Sequence, residues 1–114
     1  MKSYFNDVYR TDENLQQYKQ FEHIVDNNPQ TLKPGSGDKQ RVQDLQQRLN
    51  VAGISANVNG TYGYATGEAV KEFKTKMGIS DGFLNAKGQP AVTDIATPQM
   101  QAVLNSVVSK KLNP

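Results

Sequence analysis

There is no cysteine and no tryptophan in these 114 residues, and there is a single histidine. Each absence removes a class of function. Without cysteine there are no disulfides, no thiolate nucleophile and none of the common zinc frameworks, and the redox compartment is left open. A zinc hydrolase needs three protein ligands and a serine nucleophile needs a base held beside it. His23 alone supplies neither, and its place in a polar segment reads as an exposed helix position. Long apolar runs are missing too, so nothing approaches the ~20 residues of a membrane span. The opening MKSYFNDVYRTDENLQQ has a lysine with no apolar run behind it, which is not a secretory signal. The expectation is synthesis in the cytosol, with any action outside requiring another release route or a larger product.

Charge is also scarce in one sense: 13 basic and 11 acidic residues leave a net +2. The signs are interspersed, and Lys110 with Lys111 is the only adjacent basic pair. Neither a nucleic acid nor a membrane surface is therefore an expected partner. A hydrophobic fraction of 36% supports one modest core, built from Leu, Val, Ile, Ala and a few Phe and Tyr. A large enclosed substrate cavity is not expected.

What is present is helical periodicity punctuated by glycine. Residues 1–31 are polar, with one amphipathic helix expected from about Asp12 to Val25 through Leu15, Tyr18, Phe21 and Val25, and the pair Asn27, Asn28 before Pro29 ends it. Ser36 or Asp38 can cap a second helix whose Val42, Leu45, Leu49 and Ala52 fall on one face, with Gly53 and Ile54 as its stop. Thr66 is the expected cap of a third, with Ala69, Val70, Phe73 and Met77 on its buried face and Gly78 and Ile79 after it. A fourth is signalled by Thr97 as cap and Pro98 in the first turn, followed by Met100, Val103, Leu104, Val107 and Val108.

The connections repeat. Gly53-Ile54-Ser55, then Asn59-Gly60, then Thr66 is echoed by Gly78-Ile79-Ser80, then Asp81-Gly82, then Thr97. A loop with an internal twin reads as a hinge of the fold before it reads as a place of catalysis. Asn-Gly and Asp-Gly favour tight turns, so short extended pairs are expected in these connections, Val58 among them.

The glycines at 60, 63 and 67 do not make a phosphate cradle, because Glu68 and Ala69 stand where a P-loop needs Lys and Ser or Thr. The carboxylates that could run a glycosidase, Glu68, Glu72, Asp81 and Asp94, all have simpler readings as helix-end charge, solvated face or turn residues. No enzyme activity and no cofactor is expected.

Taken in order, Leu32, Gly35, Gly37, Val42, Leu45, Gln46, Leu49, Gly53, Asn59, Gly60, Tyr62, Gly63, Thr66, Ala69, Val70, Phe73, Gly78, Ile79, Asp81 and Gly82 resemble the peptidoglycan-binding domain of the PG_binding_1 type. That family is a three-helix module of cell-wall hydrolases, phage endolysins and related proteins. The resemblance implies a mainly α chain: a compact three-helix module with an internal pseudo-repeat over 32–109, an N-terminal arm with one amphipathic helix over 1–31, and a tail over 110–114. It implies non-catalytic binding of peptidoglycan glycan or stem peptide, targeting or anchoring a cell-wall lytic or remodelling system, with a phage source among the possibilities. The alternative is a structural or adaptor component of a virion or secretion assembly, in which residues 1–31 grip a protein partner.

The chain departs from the family pattern in having Asn59 where Asp is usual, Lys74 where Gln is usual, and a long stretch from Phe83 to Ala96. Sugar rings call for aromatic faces, and amides or carboxylates call for polar groups. The candidate ligand residues are Tyr64 first, then Tyr62, Asn59, Thr61, Lys74 and, on the neighbouring helix, Arg48.

Overall fold

A computed structural model of the chain describes residues 12–113. Among the described residues four helices account for the regular structure: α1 (Asp12–Asp26), α2 (Lys39–Val51), α3 (Tyr64–Met77) and α4 (Pro98–Leu112). Their ends follow local chemistry. Asp38 accepts the Arg41 amide at 3.2 Å and so caps α2, while Ser36 is used by the Lys33 amide instead. Thr97 caps α4 through the Met100 amide at 3.1 Å, with Pro98 in the first turn.

The stops of α2 and α3 are the same motif. Gly53 takes φ +93° and Gly78 φ +70°, which favours glycine. In each case the following isoleucine amide returns to the last turn, Ile54 to the Leu49 carbonyl at 2.9 Å and Ile79 to the Lys74 carbonyl at 2.8 Å. The internal echo in the sequence is therefore a repeated helix stop.

The start of α3 differs from the expectation. Gly63, not Thr66, precedes its first turn, and no side chain caps it. The Thr66 hydroxyl is engaged elsewhere, accepting from Gln46 at 2.9 Å and donating to the Thr61 carbonyl at 3.3 Å. Met77 also leaves the expected buried face and is 42% exposed. Val58 forms no extended pair: among the described residues the isolated bridges join Leu32 to Ala96 and Leu84 to Pro90.

Among the described residues two apolar clusters hold the fold together. The main core gathers Val42, Leu45 and Leu49 of α2, Val70 and Phe73 of α3, and Met100 and Leu104 of α4, with Leu32, Ile54, Tyr62 and Ala96 from the connections. Helix α2 packs against both α3 and α4, making three helices around one centre. The strap before α2 is tied down by Arg41, whose guanidinium donates to the Pro29 and Gln30 carbonyls at 2.7 and 2.6 Å, and by the two-way Leu32–Ala96 bridge.

The second cluster was not foreseen from sequence. Tyr18 and Phe21 of α1 pack on Phe83 and Ala91, with Tyr18 and Phe83 edge to face at 5.7 Å and Phe21 and Phe83 at 5.1 Å. Between those two residues the chain forms a closed hairpin: Ala91 donates to the Phe83 carbonyl at 2.8 Å, Asn85 donates to Gln89 at 2.9 Å, and Gly88 sits at the turn with φ +75°. The long stretch and the N-terminal helix thus bury each other's aromatics. Leu15 lies outside the residues whose side chains are described, and residues 1–11 and Pro114 lie outside the described residues altogether.

Candidate functional site

The connection from α2 to α3 is organised by one side chain. Gln46, fully buried on α2, sends its amide nitrogen to Asn59 Oδ1 at 3.1 Å, the Thr61 carbonyl at 3.0 Å and Thr66 Oγ1 at 2.9 Å. Its oxygen accepts the Asn59 and Gly60 amides at 2.9 and 3.0 Å. Both ends of one carboxamide are therefore spent on the loop, which a buried amide requires. Asn50 holds the loop's beginning in the same manner, exchanging two bonds with Ala56 at 2.7 and 2.8 Å. Gly60, at φ +78°, lies under the aliphatic stem of Lys39, where an added Cβ would come within 2.4 Å of Lys39 Cγ.

This pinned loop delivers Tyr64 to the surface. Tyr64 opens α3, is 83% exposed, and its hydroxyl donates to Glu68 one turn on at 3.3 Å. Thr61, in the loop that precedes it, is exposed, and the Asn59 side-chain oxygen is used by Gln46 and by the Thr61 amide at 3.0 Å.

Tyr62 points the other way. Its ring is buried in the main core and its hydroxyl donates to the Asp94 carbonyl. Burial, reinforced by the nearby Asp94 charge, pushes its phenol above the ordinary tyrosine value. It is a packing residue of this loop and presents no face to a ligand.

Lys74 likewise leaves the set of surface candidates. Its side chain is wholly buried and its ammonium is held by both Asp81 oxygens at 2.9 and 3.1 Å, the Thr93 carbonyl at 3.0 Å and Thr93 Oγ1 at 3.3 Å. Burial pushes its pKa down from the ordinary lysine value, and the Asp81 carboxylate opposes that shift. Asp81 also accepts the Thr93 amide at 2.6 Å, so this pair closes the base of the hairpin. Arg48 is exposed on α2. It stands two positions beyond Gln46, about 200° around the helix, so it leaves from the side opposite the loop.

Of the sequence candidates, Asn59, Thr61, Tyr64 and Arg48 are exposed, whereas Tyr62 and Lys74 are buried. A second feature, absent from the sequence reading, is a cleft of about 360 Å³ between α1, residues 81–83 and the start of α4. Phe21, Ile24, Val25, Phe83 and Pro98 give it apolar walls, and Gln17, Gln20, Thr97 and Gln99 give it polar groups. Among the described residues no three His, Cys, Asp or Glu side chains converge where a metal ion could be held, and no helix is long and apolar enough to cross a membrane.

Residues 38–87 match the family model PG_binding_1, "Putative peptidoglycan binding domain". This segment is similar to peptidoglycan-binding domains of the PG_binding_1 type. The match begins at Asp38, the cap of α2, and takes in Gln46, the pinned loop and all of α3. It ends inside the hairpin, so α4, which supplies Met100 and Leu104 to the main core, lies beyond the matched part of the PG_binding_1 fold. Comparisons with curated proteins and with solved structures gave no match.

Proposed function

We propose that this chain binds bacterial peptidoglycan without cleaving it and serves to anchor a cell-wall lytic or remodelling system at the wall. The observation that carries the reading is the PG_binding_1 match over 38–87, because the matched residues are those that build the loop and hold it out. Tyr64 offers an aromatic face, and the exposed Asn59 and Thr61 of the loop before it offer hydrogen-bonding groups, which suits sugar rings and peptide amides. A face this open binds one repeat weakly; a millimolar dissociation constant is only about 4 kcal/mol. A wall polymer offers many repeats, so neighbouring contacts become intramolecular and avidity makes up the difference.

The test is incubation of the purified chain with insoluble sacculi. The reading expects protein in the pellet and no soluble muropeptides in the supernatant. Protein left in solution overturns the binding, and released muropeptides overturn the absence of cleavage.

A further inference from the structure

We propose that the cleft between α1 and the start of α4 is a second carbohydrate subsite, which takes an uncharged N-acetylated sugar ring of the glycan strand. The inference rests on the peptidoglycan reading above, and it places glycan contact on residues that lie largely outside the matched domain. Only Asp81, Gly82 and Phe83 of the lining fall within 38–87; α1 and Thr97 to Gln99 do not.

Three observations fix the class of ligand. The volume, about 360 Å³, is within the ~300–1,000 Å³ of pockets that hold small molecules. Among the described residues the one charged group lining the cleft is Asp81, and its oxygens are already taken by Lys74 and the Thr93 amide. No described lining residue is a cation, so a stem-peptide carboxylate buried there would lack a partner from this lining, which is costly.

What the cleft does offer is carboxamides against apolar surface. Gln20 and Gln99 are exposed at its edge, and Ile24 stands 68% exposed beside Phe21 and Pro98. An acetamido group has the matching chemistry: an amide N–H and C=O for glutamine, and a methyl for the apolar wall. The C–H face of the ring can cover Ile24, which is among the most exposed large apolar side chains of the described residues. The cleft exists only because α1 and the hairpin hold each other through Tyr18, Phe21 and Phe83. That gives α1 and the stretch from Phe83 to Ala96 a shared purpose.

The test is titration of the isotope-labelled full chain with triacetylchitotriose, a peptide-free glycan, in parallel with cellotriose, which lacks the acetamido group. The expected result is chemical-shift change at the Gln17, Gln20 and Gln99 side-chain amides and the Ile24 methyls with the first sugar only. Ile24→Glu and Gln20→Ala, both at exposed positions, should each weaken that binding by about tenfold. Equal response to cellotriose, shifts confined to the Tyr64 loop, or unchanged affinity in both variants overturns the subsite. Sacculus co-sedimentation on the same samples separates the two ideas. Pelleting without any cleft response removes the subsite and leaves wall binding standing. Cleft response without pelleting supports the subsite and removes the wall assignment.

Discussion

Gln46 and Lys74 perform the same task in the two halves of the molecule. Each is a fully buried polar side chain on a helix that fixes the connection following that helix, Gln46 at Asn59–Thr66 and Lys74 at Asp81–Thr93. They differ in charge. The carboxamide carries donors and an acceptor in one neutral group and satisfies the loop backbone directly. The ammonium can only donate, so its burial demands a carboxylate, and Asp81 must be buried with it at 1% side-chain exposure. A neutral staple suits a loop that presents a side chain to solvent. A charged pair commits two residues at once, and it closes the hairpin base on which α1 rests.

The sharpest way to break this comparison is to remove one member of the charged pair. Lys74→Met leaves the Asp81 carboxylate buried without its cation and should cost about 3–5 kcal/mol in urea denaturation. Adding Asp81→Asn should recover most of that loss, since the Thr93 amide keeps an acceptor. A small effect of the single variant would mean that the pair is hydrated in solution. Gln46→Leu comes next, at about 2–3 kcal/mol, because it strands the Gly60 amide in a buried position while removing no charge. If the two single variants cost the same, charge does not distinguish the staples.

A third variant sharpens the picture through pH. Burial and Asp94 hold the Tyr62 phenol above its ordinary value. The folded chain therefore keeps this proton after the unfolded chain releases it. The stability so gained is complete below pH ~10 and is lost as pH rises beyond it. Tyr62→Phe should cost about 1 kcal/mol at neutral pH through the lost bond to the Asp94 carbonyl, and should show a flatter alkaline limb than the wild type. An unchanged alkaline slope would contradict the buried phenol.

Much of this architecture was legible in the sequence, and the parts that were not share a cause. Asp38, Thr97, Gly53 and Gly78 were readable because caps and stops depend on neighbours within one turn. Thr66 misled because the same hydroxyl that could cap a helix was claimed by Gln46, 20 residues earlier in the chain. Lys74 misled because lysine is ordinarily exposed, and its partner Asp81 lies beyond a helix stop where periodicity carries no information. The cleft and the aromatic cluster under it depend on Tyr18 and Phe21 meeting Phe83 across the fold. An aromatic in an irregular stretch announces burial but not the surface it is buried against. Tyr64 was placed correctly at the surface: it opens α3 directly after Gly63, away from the apolar stripe, and is 83% exposed.

The smallest effect on stability and the largest on function is expected at Tyr64, and it provides the most direct test of the central claim. Binding isotherms of wild type and Tyr64→Ala on insoluble sacculi should be measured side by side, with thermal unfolding recorded for both. The account predicts unfolding midpoints that coincide, since the ring is exposed, together with retention on the wall reduced by about tenfold or more. Equal retention of the two proteins would contradict the claim that the Gln46-pinned loop is the face that meets the wall.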